Sequence, residues 1–137
     1  HPQRSAGQRF DRPGRTSVSA PLGIDHVQLA MPEGGEDRAR AFYTDLLGMR
    51  ELAKPSNLSP AGCWFECGAL QLHLGVDPDF RPARKAHPAL LVADLAEFRA
   101  GLAQAGAIIR EDKPMAGYHR CFTEDPFGSR IELMQKL

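Results

Sequence analysis

Two polar pairs in this chain share one spacing, and that repeat constrains its fold more than any other feature. Gln71 follows His26 by 45 residues, and Glu132 follows His87 by 45 residues. The surroundings match as well. His26 and His87 each open a short apolar run, Val27-Gln28-Leu29-Ala30 and Pro88-Ala89-Leu90-Leu91. Gln71 stands between Leu70 and Leu72, and Glu132 between Ile131 and Leu133. The chain reads as one module written twice, with a candidate metal ligand at the same two points of each copy. A duplicated module that pairs with itself brings four equivalent positions to a shared centre. Two histidines, a glutamate and a glutamine form a suitable donor set for a divalent transition metal.

The 137 residues suffice for one compact domain, or for two half-domains sharing a sheet. An apolar fraction of 42% and a charged fraction of 25% are those of an ordinary soluble globular protein, for which a cytoplasmic setting is expected. A formal net charge of zero gives no reason to expect nucleic acid or an anionic membrane surface as partner. No apolar run is long enough to suggest a membrane span. Cys63, Cys67 and Cys121 are an odd number without zinc-finger spacing, and read as reduced, buried thiols. Residues 1–22 stand apart: Arg4, Arg9, Arg12 and Arg15 face a single acid, Asp11, among Gly, Ser and Pro. They are expected to form a flexible basic arm ahead of one domain over residues 23–137.

Within that domain each copy reads as strand, helix and three strands. Residues 24–30 alternate and predict a strand. Residues 36–47 place Ala39, Phe42, Tyr43, Leu46 and Leu47 on one helical stripe, with Gly48 as the stop. Short strands are expected over 50–53, 63–67 and 69–75. The second copy predicts a strand over 86–92, a helix over 95–105 capped by Asp94, and strands over 107–110, 119–124 and 130–135. Asp125-Pro126-Phe127-Gly128 is the turn before the last strand. Phe42 and Leu46 recur as Phe98 and Leu102 at an offset of 56, whereas the outer landmarks recur at 61, so loop lengths differ between the copies. The expected class is α+β: two βαβββ modules, about 23–76 and 86–136, pairing into a curved mixed sheet around a cleft.

These motifs resemble the vicinal oxygen chelate superfamily of glyoxalase I, extradiol dioxygenases, fosfomycin-resistance proteins and bleomycin-resistance proteins. The likeness is carried by Asp25-His26-Val27-Gln28-Leu29 and by Ala41-Phe42-Tyr43-Thr44-Asp45-Leu46-Leu47-Gly48-Met49. The second half adds Ala86-His87-Pro88-Ala89-Leu90-Leu91-Val92 and the run from Glu124 to Leu133. The resemblance covers residues 23–135 and specifies the fold rather than the reaction. It implies one divalent metal ion (Fe, Mn, Ni, Co or Zn) held by His26, His87 and Glu132, with Gln71 at the fourth position as a weak neutral ligand, as a hydrogen-bond partner of a metal-bound water, or as neither. It implies a small-molecule substrate chelated through two adjacent oxygens, with Glu132 as the catalytic proton acceptor, and a homodimer. Glyoxalase I places more than one carboxylate among these four points; this chain has one.

His73 shares a sheet face with Gln71 and is a candidate substrate contact or base, or else a satisfied strand histidine. Tyr118 and Arg120, at a strand start after a Gly-containing loop, are further candidate substrate contacts, or else a solvated loop end. Arg81, Arg84 and Lys85 read as wet surface. Trp64 and Phe65 read as core and cavity wall, and Met31, Met49 and Met134 as core. The expected function is a small metal-dependent lyase, isomerase or dioxygenase. The alternative is a metal-free drug- or metabolite-binding protein in which His26 and Glu132 form a plain hydrogen-bonded pair. A thiol transferase of the fosfomycin-resistance kind would need a phosphonate pocket that the sequence does not reveal.

Overall fold

The computed structural model describes residues 19–137; residues 1–18, most of the expected basic arm, lie outside the described residues. The strands and helices are β1 (His26–Met31), α1 (Glu36–Arg40), a π-helical continuation (Ala41–Leu46), β2 (Glu51–Leu52), β3 (Cys63–Cys67) and β4 (Leu70–Val76), then β5 (Ala89–Leu91), α2 (Leu95–Gln104), β6 (Ile109–Arg110), β7 (Tyr118–Glu124) and β8 (Arg130–Lys136). Both copies therefore have the expected βαβββ order. Each makes a four-stranded mixed sheet, β1-β4-β3-β2 and β5-β8-β7-β6. In each, the first strand runs parallel to the last and forms a sheet edge. The sheets remain separate: among the described residues no strand pair joins them.

Alternation along the strands explains how the two sheets share a core. Leu72 and Leu74 of β4 face inward with Phe65, Phe42 and Tyr43. Ile131 and Leu133 of β8 face inward with Leu95, Leu102 and Cys121, and all of these belong to one apolar cluster. Because successive side chains on a strand point to opposite faces, Gln71, His73 and Glu132 stand on the faces turned away from that cluster.

The first helix departs from the simple amphipathic stripe. After Arg40 the backbone widens, and the Leu47 amide donates to the Phe42 carbonyl, five residues back, at 2.9 Å. Widening lets two consecutive residues, Phe42 and Tyr43, both be buried. Tyr43 needs that placement: its hydroxyl donates to Asp125 Oδ2 at 2.7 Å across the two modules. Asp125 Oδ1 also accepts from the amides of Phe127 and Ser129, both at 2.9 Å, which shapes the turn before β8. Burial pushes the Asp125 carboxyl above its ordinary range, against the lowering effect of these donors. Gly35 permits the same close approach from the other side, since a Cβ there would lie 2.8 Å from the Phe127 ring. No described helix is long and apolar enough to cross a membrane.

Candidate metal and substrate site

The first-module donors are set by β1, β3 and β4. His26 pairs in register with Gln71, and His73 with both Gln28 and Trp64. The His73 ring lies between two others, 4.1 Å from His26 and 4.0 Å from Trp64, with interplanar angles of 15° and 4°. Its Nε2–H donates to Gln71 Oε1 at 2.9 Å. His73 is 4% exposed, and burial, followed by the neighbouring His26, holds its ring below the ordinary histidine range. His26 is the open end of the stack, with 43% of its side chain exposed. Its Nδ1 donates to Asp25 Oδ2 at 2.9 Å, which leaves Nε2 as the free donor atom.

The second-module donors are set differently. His87 was expected inside a strand over 86–92, but β5 begins only at Ala89, after Pro88. The Pro88 carbonyl accepts from the Glu132 amide at 3.0 Å, but proline has no amide hydrogen to give in return, so the ladder extends no further back toward His87. Ala89, not His87, is the register partner of Glu132. The equal sequence spacing therefore does not give equal geometry: His26 lies opposite Gln71, whereas His87 approaches Glu132 from two residues before its partner. The side chains still meet. His87 Nε2 lies 3.1 Å from Glu132 Oε1, and the ring packs edge-on against Phe122 at 5.0 Å. His87 Nδ1 donates to the Lys85 carbonyl at 2.9 Å, which leaves Nε2 as the ring atom that faces Glu132.

His87 Nε2 and Glu132 Oε1 face each other at 3.1 Å, a contact that either a proton on the ring nitrogen or a metal ion bound to both atoms would satisfy. The separation suits a metal ion: donors about 2.0–2.1 Å from one ion and at right angles to each other lie about 3 Å apart. Nδ1 tied to an acceptor on both His26 and His87 is the outer-shell pattern that metal-binding histidines show. The residues of this half therefore fit a divalent ion. Among the described residues no three His, Cys, Asp or Glu side chains gather closely enough to hold a metal. Gln71 has its oxygen engaged by His73.

Arg120 lies beside Glu132. Its Nη1 donates to Glu132 Oε2 at 3.0 Å and its Nη2 to the Lys113 carbonyl at 2.7 Å. Tyr118 is separate from the donor atoms and lines a cavity of about 360 Å³ with Arg99, Pro114 and Arg120. A cavity of about 380 Å³ brings Gln28 and Leu29 of β1 together with Phe80, His87 and Ser129. A cavity of about 810 Å³ lies between the π-helical segment and the turn at Asp125, and touches none of the candidate ligands. Sequence reasoning missed Asp25 and the Lys85 carbonyl as partners of the two histidines, and Trp64 as the inner layer of the stack. The adjacency of Asp25 to His26 was the one available signal.

A family model for the Glyoxalase/Bleomycin resistance protein/Dioxygenase superfamily matches residues 23–133. The chain belongs to that superfamily. A glyoxalase family protein from Bacillus anthracis is 43% identical, with 88% of this chain and 100% of that one covered and a TM-score of 0.84. A lactoylglutathione lyase from Agrobacterium tumefaciens is 21% identical, with 85% and 96% covered and a TM-score of 0.66. An antibiotic binding protein from a Streptomyces species is 19% identical, with 88% and 100% covered and a TM-score of 0.68. The last two likenesses show the fold alone. Among curated proteins nothing matches the chain. Members of the superfamily bind small molecules and commonly use divalent metals.

Proposed function

We propose that this chain is a small metal-dependent enzyme of the glyoxalase/dioxygenase group, acting on a small molecule with two adjacent oxygens. The observation that carries the reading is the approach of His87 Nε2 to Glu132 Oε1 at 3.1 Å, with His87 Nδ1 already satisfied. His87 and Glu132 would supply one half of the ligand set, and His26, with Gln71 beside it, the other. Two features support completion of the set across a homodimer. The donor faces of both modules turn away from their shared core, and β1 and β5 are sheet edges. In a dimer, the open face of one chain's first module meets that of the other chain's second module.

A bound divalent ion would polarise the two substrate oxygens and stabilise negative charge developing on them. Glu132 is the one carboxylate among the four candidate ligands, so it is the group that takes the substrate proton. His87 holds the imidazole that orients Glu132 Oε1, and Phe122 shields the pair from water. His73, buried and stacked, fixes the direction of the Gln71 amide. Three free thiols suit a reducing compartment such as the cytoplasm.

The second reading is a metal-free binding protein, favoured by one observation: Arg120 already neutralises Glu132. Metal content decides between the two. Protein purified without chelators or metal-affinity resin should carry about one Fe, Mn, Ni, Co or Zn per chain by plasma mass spectrometry. No metal, with none taken up on titration, would support the binding protein.

A further inference from the structure

Glu132 is bound on both oxygens, and the second partner has a consequence of its own. Arg120 stands two residues before Phe122 on β7, and Phe122 is the register partner of Glu132, so Arg120 and Glu132 are diagonal neighbours on one sheet face. Both are largely covered, with side chains 12% and 7% exposed. The guanidinium is fixed at two points, Glu132 Oε2 and the Lys113 carbonyl, and Asp112 Oδ2 lies 3.6 Å away. Its Nε is buried with no partner, so the group sits here for the sake of its terminal nitrogens. Lysine would not serve equally: only the planar fork reaches a carboxylate and a loop carbonyl together.

We propose that Arg120 is an internal counter-cation for Glu132, which pairs with it in the metal-free chain and competes with the divalent ion in the loaded one. The proposal rests on the metal reading above. Two effects follow from the geometry. With Oε2 occupied, Glu132 presents Oε1 alone toward His87, so chelation by both oxygens is excluded. A fixed positive charge also stands within the distance, about 4–6 Å, over which neighbouring charges act strongly on each other. It therefore weakens the hold of Glu132 on a cation. Arg120 is a positioning residue in this account, acting on the reaction only through Glu132.

The two parts are tested separately. In chelator-treated protein, unfolding by urea is compared for Arg120→Gln, Glu132→Gln and the double variant. Each single change strands a covered charge, so the double variant should recover at least about tenfold in the unfolding constant over the product of the singles. Additive effects would overturn the pairing. Zn²⁺ affinity is then measured by competition with a chromophoric chelator. Arg120→Gln should bind Zn²⁺ about tenfold or more tightly than wild type, while Arg120→Lys, which keeps the charge, should remain near wild type. Arg120→Met replaces the Gln variant if circular dichroism shows the latter unfolded. Affinity that falls, or stays level, in the neutral variant would overturn the competition. Zn²⁺ uptake by neither wild type nor variant would instead defeat the metal reading itself, and the competition with it.

Discussion

The two modules carry donors of similar type in contrasting surroundings. In the first, His26, His73 and Trp64 form a ring stack, and the amide of Gln71 adds no charge. In the second, the His87 ring, the Glu132 carboxylate and the Arg120 guanidinium form a chain of charge-assisted contacts against Phe122. The first arrangement is rigid and electrically weak, and the second strong and electrically balanced. Duplication preserved the βαβββ frame while the chemistry of the two copies diverged. The negative charge available to a cation lies in the second copy, and the first offers chiefly one well-oriented imidazole.

The sharpest break of this contrast is to remove equivalent donors. Glu132→Ala should weaken Zn²⁺ binding by more than the roughly 10–100-fold typical of losing an outer-shell partner, and His87→Ala should do likewise. Gln71→Ala should cost less than about tenfold, because its oxygen already serves His73 and an amide is a weak donor. Equal losses in a chelator competition assay would erase the distinction. The groups that orient the two histidines should differ next. Asp25→Asn should weaken binding about tenfold, since its carboxylate holds His26. Lys85→Ala should leave it unchanged, since Lys85 holds His87 through its backbone carbonyl.

A third difference concerns pH. In metal-free protein, burial keeps the folded His73 below its ordinary value of 6.5. As pH falls below about 6.5 the unfolded chain takes up a proton that the folded ring resists. His73 therefore costs the fold stability as acid is added, until the folded ring titrates in turn. Urea midpoints measured from pH 7.5 to 5 should fall more in wild type than in His73→Phe. Parallel curves would contradict this. The smallest effect is expected at Trp64: Trp64→Leu should lower the unfolding free energy by about 0.5–1.5 kcal/mol beyond its lost area, through the missing stack. Chemical denaturation checks the value.

Much of the frame is legible in the residues. Strand alternation, the Asp94 cap and the Asp125-Pro126-Phe127-Gly128 turn announce two βαβββ units, because each rests on local chemistry. The α-to-π change at Ala41 is not legible. It answers a demand from Asp125, 82 residues away from Tyr43, that no local pattern contains. The site is legible by residue type and less so by geometry. Pro88 displaces His87 from the strand and shifts it relative to Glu132, although the sequence spacing remains 45. Arg120 reaches Glu132, and Trp64 reaches His73, only through strand register, which turns and bulges set one residue at a time.

The most direct test of a site built from two half-sites on different chains is complementation. His26→Ala and Glu132→Ala chains, each carrying a different tag, are co-expressed and the heterodimer is isolated through both tags. Neither variant alone should hold metal. In the heterodimer, the intact first module of one chain meets the intact second module of the other, and about one metal ion per heterodimer should return. A heterodimer as empty as its parents would place the donors within single chains and contradict the account.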